Sequence, residues 1–293
     1  MNFNITAERV SMKCKDTEVL KNISFQLEYG KTYGLLGRNG AGKTTLLSLI
    51  ASYREPTSGE IKVGGELVFE NEEVIPYINF VYDVDYSYEY DSAKKYFKFA
   101  KRYRPDFDIE YAEELATRMK LPLNKPIKDL SSGMQSALNA ILGLADYAPI
   151  TILDEVYLAM DAPTREKFYE AVVESQQKKP RTMILSTHLV SEMDYLFDHV
   201  LILHNGELLV DEPYDQLMNH GFSIVGEAQK VDEMTSNMKR IGFKQLGPTK
   251  SVTVYEELTE ELEQEIEKQG LSIAPVSLQE LFIHLTEEGE SNE

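Results

Sequence analysis

Apolar residues along the chain follow two rhythms, strict alternation and helical spacing, and the points where one gives way to the other outline the fold. Between Phe3 and Glu28 apolar and polar residues alternate around the turn-like Lys15-Asp16-Thr17, which predicts antiparallel strands. Tyr33, Leu35 and Leu36 predict the next strand, and Leu46, Leu47, Leu49 and Ile50 a helix opening behind it. Gly59 to Gly65 reads as a short hairpin. From Asp91 the spacing turns helical: Lys94, Lys95, Lys98, Lys101 and Arg102 share a face, with Tyr96, Phe97, Phe99 and Tyr103 interleaved, until Pro105 breaks the pattern. Helices over Glu110 to Met119 and from Ser131 through Leu144 complete a helical insert at about residues 84–146.

Ile150-Thr151-Ile152-Leu153 is mostly apolar and reads as a buried parallel strand. A helix over Pro163 to Ser175 and a strand over Thr182 to Ser186 follow, and this alternation predicts a doubly wound α/β fold. After Pro213 the character changes. Residues 222–286 read as a small C-terminal α+β domain, with strands at Ser223 to Val225 and Ser251 to Tyr255 and helices at Val231 to Ile241 and Thr259 to Gln269. Residues 287–293 form an acidic tail without apolar anchors, expected to fray.

A length of 293 residues accommodates one large domain and a small appendage. The single cysteine, Cys14, rules out an internal disulfide and fits a reducing cytosol. The first residues lack a basic start and no run of about 18 apolar residues occurs, so neither secretion nor a membrane span is expected. A net charge of −19 repels phosphate backbones and argues against nucleic acid as a partner.

Gly37-Arg38-Asn39-Gly40-Ala41-Gly42-Lys43-Thr44-Thr45 sits between the predicted strand and helix, where backbone NH groups and a helix N-terminus would surround a phosphate chain. This is a complete P-loop, and its setting sets it apart from a glycine-rich turn that binds nothing. Lys43 would place its charge between the β- and γ-phosphates of a nucleotide, and the Thr44 hydroxyl would ligate Mg²⁺. Leu153-Asp154-Glu155 ends the apolar strand at the edge where the P-loop opens. There Asp154 would hold the metal and Glu155 would polarise the attacking water.

With Leu130-Ser131-Ser132-Gly133-Met134 preceding that strand, the order of motifs resembles the ATP-binding subunits of ABC transporters over residues 1–218. The resemblance implies a RecA-like core, an antiparallel β subdomain and the helical insert, with ATP and Mg²⁺ held by Gly37, Asn39, Gly40, Gly42, Lys43, Thr44 and Thr45. It also implies that Ser131 and Gly133 contact the γ-phosphate of ATP on the opposite subunit, that Asp161 links the two nucleotide sites, and that His188 reaches the γ-phosphate. Three positions depart from the pattern. Cys14 stands where an aromatic ring stacks on adenine, a loss expected to weaken ATP binding by about five- to a hundredfold. Asp83 replaces the Mg²⁺-coordinating glutamine of the Q-loop, where a carboxylate can also bind the metal, and Val156 replaces the proline after the catalytic glutamate.

Ser277 to Thr286 is similar to the closing motif of ABC-2-type exporter ATPases, and Asp161-Ala162 with Arg165-Glu166-Lys167-Phe168-Tyr169 to the subgroup of phenol-soluble-modulin exporters and Ytr-type transporters of Gram-positive bacteria. The implied partners are transmembrane permease subunits, and a second ATPase subunit in a homodimer or a heterodimer with a paralogue, at the cytoplasmic face of the cell membrane. Tyr82, Tyr86, Tyr88 and Tyr90 either meet those membrane subunits or pack the insert, and the basic face from Lys94 to Arg104 is either solvated or faces lipid headgroups. The competing function is a soluble ABC ATPase that remodels ribosomes or DNA. Such relatives usually carry two cassettes, a long coiled coil or basic surfaces, none of which occurs here.

Overall fold

The computed structural model describes residues 2–287. Its first sheet is antiparallel, in the order β2-β1-β4-β5, from β1 (Ile5–Cys14), β2 (Thr17–Leu27), β4 (Ser58–Val63) and β5 (Glu66–Leu67). Between them run β3 (Thr32–Leu36) and helix α1 (Lys43–Ile50). β3 belongs to a second sheet of order β10-β9-β3-β8-β7-β6, completed by β6 (Ile78–Val81), β7 (Ile150–Asp154), β8 (Thr182–Thr187), β9 (His199–His204) and β10 (Glu207–Pro213). This sheet is parallel except for β10, which pairs antiparallel with β9. Every residue of β3, β7 and β8 is buried, which is why these strands are predominantly apolar instead of alternating.

The insert consists of α2 (Ala93–Tyr103), α3 (Ile109–Arg118) and α4 (Ser132–Asp146), and α5 (Ala162–Lys178) returns the chain to the sheet. α2 buries only Ala93 and Phe97, so its lysines face solvent, and it stops at Tyr103, leaving Arg104 extended ahead of Pro105 as the backbone restriction before proline requires. Tyr86 is buried and donates to Asn139 Oδ1 at 2.6 Å; burial raises its phenol to about 12. Tyr82, Tyr88 and Tyr90 are exposed, so one of the four tyrosines packs the insert and three do not.

α6 (Tyr214–His220) leads into a third sheet of order β12-β13-β11-β14, built from β11 (Gly221–Glu227), β12 (Arg240–Leu246), β13 (Thr249–Tyr255) and β14 (Ser272–Pro275) and covered by α7 (Ala228–Met234) and α8 (Glu260–Lys268). Two sequence expectations need correction. The helix foreseen to Ile241 stops at Met234, and β12 and β14 are strands that the pattern did not reveal. Val231, Met234, Met238 and Ile241 are spaced as in a helix, but the last two reach apolar clusters from a turn and from β12. β12 is exposed or half-exposed along its whole length, so it lacks the one-sided alternation that marks a strand.

The last helix, α9 (Leu278–Thr286), leaves this small sheet: Leu278, Leu281 and Phe282 join the core that contains Leu196, Phe197 and Leu217. Its start is a capping box in which Ser277 Oγ accepts from Glu280 N and Glu280 Oε2 accepts from Ser277 N, both at 3.2 Å. The backbone bond from Ser277 holds the Glu280 carboxyl below its usual range. Ser277→Ala is expected to cost about 1 kcal/mol of stability, read as a lower denaturation midpoint with unchanged slope. The tail expected to fray lies, beyond Glu287, outside the described residues.

Candidate functional site

β3 delivers the chain into the loop Gly37–Gly42, and α1 begins at Lys43. Gly42 sits at φ +107°, and a Cβ there would fall 2.8 Å from Leu20 Cδ2, so both conformation and space demand glycine. No acidic side chain lies in the first turn of α1, which leaves its positive end uncompensated by its own helix. Asn39, Gly40 and Thr44 are exposed, Gly37 and Lys43 buried, Gly42 and Thr45 half-buried. Lys43 Nζ donates to the Gly37 carbonyl at 2.7 Å and pairs with Glu155 Oε1 at 3.2 Å.

The parallel sheet brings the ends of β3, β7 and β8 together, and with them residues more than a hundred positions apart. Asp154 closes β7: its Oδ2 accepts from Thr44 Oγ1 at 2.7 Å, and its Oδ1 accepts from Ser186 Oγ of β8. Glu155 follows at φ +52°, a left-handed conformation that costs a non-glycine residue about 1–3 kcal/mol. That turn points the carboxylate back toward the P-loop, where Oε1 also lies 3.0 Å from His188 Nδ1. Tyr157 donates to Thr187 Oγ1 and stacks on Phe168 with centroids 6.0 Å apart. This fixes the Glu155 turn against the end of β8. Burial pushes the Tyr157 phenol well above its usual range, so it remains a donor.

Thr44 and Asp154 fit Mg²⁺ well, since a hydroxyl and a carboxylate oxygen already adjoin. A hexacoordinate cation that keeps water and phosphate oxygens needs few protein ligands. Asp83 is exposed two residues beyond β6, whose Val81 pairs with Leu153, so it stands at the same sheet edge. No hydrogen bond among the described residues joins it to Thr44 or Asp154.

A second group of motif residues assembles at the start of α4. Ser131 caps this helix by accepting from Met134 N at 3.3 Å and is exposed. A Cβ on Gly133 would fall 2.8 Å from the Ala159 carbonyl, so glycine lets this turn pack against Ala159-Met160. Asp161 caps α5 by accepting from Thr164 N at 3.0 Å, and the Thr164 bonds lower its carboxyl pKa. No hydrogen bond among the described residues joins Ser131, Gly133 or Asp161 to the P-loop. Within one chain the motifs form two groups not joined by hydrogen bonds among the described residues.

Some neighbours of the site escaped sequence reasoning. Ser186 and Tyr157 anchor Asp154 and the Glu155 turn, and Arg38 Nε donates to Thr286 Oγ1 of α9 at 3.3 Å. Only the alternation of Ser186 with buried Leu185 along β8 hinted at the first. Arg54 Nη1 lies 3.9 Å from the Cys14 thiol.

Residues 20–157 match the family model described as ABC transporter. Over 213 residues the chain is 28% identical to the ABC transporter ATP-binding protein YtrB of Bacillus subtilis (strain 168), covering 73% of each protein. Over 277 residues it is 27% identical to the bacitracin transport ATP-binding protein BcrA of Bacillus licheniformis, covering 92% of this chain and 82% of that one. A solved ATP-binding subunit of an ABC transporter superposes with a TM-score of 0.65 at 22% identity, over 73% of this chain and 91% of its own. A bacterial Atm1-family ABC exporter with ATP bound gives 0.63 at 20% identity, over 74% of this chain and 40% of its own. The fold is that of an ATP-binding cassette, as the order of motifs implied.

Proposed function

The chain carries an ABC transporter ATP-binding domain, which is an ATPase domain, and from that premise we propose that it is the subunit that dimerises around ATP and drives separate membrane subunits of an exporter. The observation that carries the reading is the position of Glu155 Oε1, within 3.2 Å of Lys43 Nζ and 3.0 Å of His188 Nδ1, beside the Thr44–Asp154 pair. Without nucleotide, the Glu155 carboxylate neutralises Lys43. Phosphates arriving at the P-loop amides and Lys43 take over that charge, and Glu155 becomes free to accept a proton from water. His188 then faces the γ-phosphate from the end of β8. Thr44 and Asp154 would hold Mg²⁺, which neutralises charge on the β- and γ-phosphates when bound.

Ser131, Gly133 and Asp161 belong to the half of the site that serves a second copy or a paralogue. The exposure of Ser131 and Asp161 and the lack of hydrogen bonds from all three to the chain's own P-loop support that role. Residues 1–218 form the cassette in this reading and 222–286 its C-terminal appendage, with α9 tying the two together.

No helix of the described residues is long and apolar enough to cross a membrane, so force must leave through a surface. A cleft of about 270 Å³ lies where β6 meets the insert, lined by Asn79, Tyr96, Phe99, Tyr103 and Arg104. Tyr103, on its lining, is 75% exposed, and Tyr88, next in sequence to the Glu89 that accepts from Tyr96 of the lining, is 85% exposed; tyrosines of this kind anchor interfaces. From membranes of its host at the cytoplasmic face, the tagged chain is expected to recover a hydrophobic multi-span protein. Tyr88→Glu together with Tyr103→Glu should lower that recovery about tenfold. Recovery with ribosomes or duplex DNA in its place would overturn the transport reading.

A further inference from the structure

A sizeable cavity lies away from the nucleotide loop. It measures about 930 Å³ and opens between β10 of the central sheet, β12 and β13 of the small sheet, and α9. That volume matches sites for drug-sized molecules. Its chemistry runs against the rest of the chain. Residues 239–250 contain Lys239, Arg240, Lys244 and Lys250 and no carboxylate, in a protein of net charge −19.

Lys239, Arg240 and Lys250 all line the cavity. Arg240 and Lys250 share one carboxylate, Asp232, at 3.6 and 2.6 Å. The Lys239 ammonium has no ion pair among the described residues, although its backbone N–H donates to Glu256 Oε1 at 2.8 Å, and it lies 4.8 Å from the centre of the Tyr255 ring, whose hydroxyl donates to Glu212 Oε1. Lys250 lies 5.1 Å from the Phe243 ring. His284 of α9 also lines the cavity, and its buried Nδ1 has no hydrogen-bond partner; Glu287 Oε2 is 3.8 Å away. Three cations and one carboxylate, Glu287, line the cavity, while Asp232, Glu256 and Glu212 bond to lining residues from outside the lining, and an unused imidazole nitrogen adds a polar contact.

Leu209 and Phe243, 44% and 57% exposed, supply apolar surface at the same cavity. Cations set against rings and aliphatic carbon suit a ligand that is itself an anion on a flat apolar body. We propose that this cleft is a binding site for an aromatic organic anion, distinct from the nucleotide site. The helix that forms one wall also carries Thr286, the acceptor for Arg38 of the P-loop, so the ligand would sit against an element that touches that loop.

Anilinonaphthalenesulfonate serves as the probe, with uncharged phenylnaphthylamine as its counterpart and saturating Mg·ADP present to keep the probe off the P-loop. Fluorescence titration of the full chain is expected to show saturable binding of the sulfonate at a single site, at least about tenfold tighter than the uncharged compound. Lys239→Glu on the small domain and Leu209→Glu on β10 should each weaken it about tenfold or more, with far-ultraviolet circular dichroism unchanged. Both positions are exposed enough to tolerate a carboxylate. Equal affinity for the two compounds, or unaltered sulfonate binding in both variants, would overturn the assignment.

Discussion

Glu155→Gln is expected to lower ATP turnover about a hundred- to a thousandfold, the scale of a lost general base, while ATP still binds. The amide keeps the shape of the side chain and its reach to His188 but cannot take a proton from water. It also removes the charge that pairs with Lys43 in the nucleotide-free protein, 3.2 Å away. Binding therefore gains rather than loses, because no ion pair has to break before the phosphates reach Lys43. Phosphate release and equilibrium binding of a fluorescent ATP analogue separate the two effects. With Mg·ATP the variant should also accumulate as a dimer, either of itself or with its paralogue, since the closed state is no longer consumed. Turnover within about threefold of the unaltered protein would remove Glu155 from the role of base.

The parts of this site that were legible in the sequence are those specified within a few residues. Glycine spacing marked the P-loop, predominantly apolar runs marked β7 and β8, and position at a strand end put Asp154 and Glu155 at the edge of the sheet where the P-loop opens. What stayed hidden depends on elements far apart in the chain. Nothing near Glu155 foretells its φ of +52° or its contact with Lys43, because both follow from how β7 lies two strands from β3. Likewise α9 reads as part of the small domain until Leu281 and Phe282 are seen in the larger core. β12 was lost for a different reason: without a fully buried face, a strand carries no period for the sequence to show.

The departures at Cys14 and Asp83 acquire a physical setting here. The guanidinium of Arg54, flat and charged, lies 3.9 Å from the Cys14 sulfur. Asp83 adds a carboxylate at the edge where Asp154 and Glu155 already stand. Less stacking and more negative charge both raise the free energy of bound nucleotide. We infer an ATPase that turns over slowly alone and relies on partners to close it. A basal rate of the isolated chain equal to that of the assembled complex would contradict this.

Lys43→Ala is expected to weaken nucleotide binding about a hundred- to a thousandfold, because the lost ammonium is a desolvated charge with no substitute. Its side chain is 6% exposed, and removing one member of a buried charged contact costs about 3–5 kcal/mol. The nucleotide-free fold should suffer less, since Glu155 is 24% exposed and keeps His188 beside it. Thermal unfolding distinguishes these cases. A non-hydrolysable ATP analogue at about a hundred times its dissociation constant stabilises the unaltered protein by about 2.7 kcal/mol. After a hundredfold loss of affinity the same concentration would supply about 0.4 kcal/mol, a shift too small to move the transition much. A variant that melts like the parent without nucleotide and no longer responds to it places Lys43 on the phosphates. One that retains the full ligand-induced shift assigns the phosphates to the backbone amides alone and leaves Lys43 as the counter-charge of Glu155.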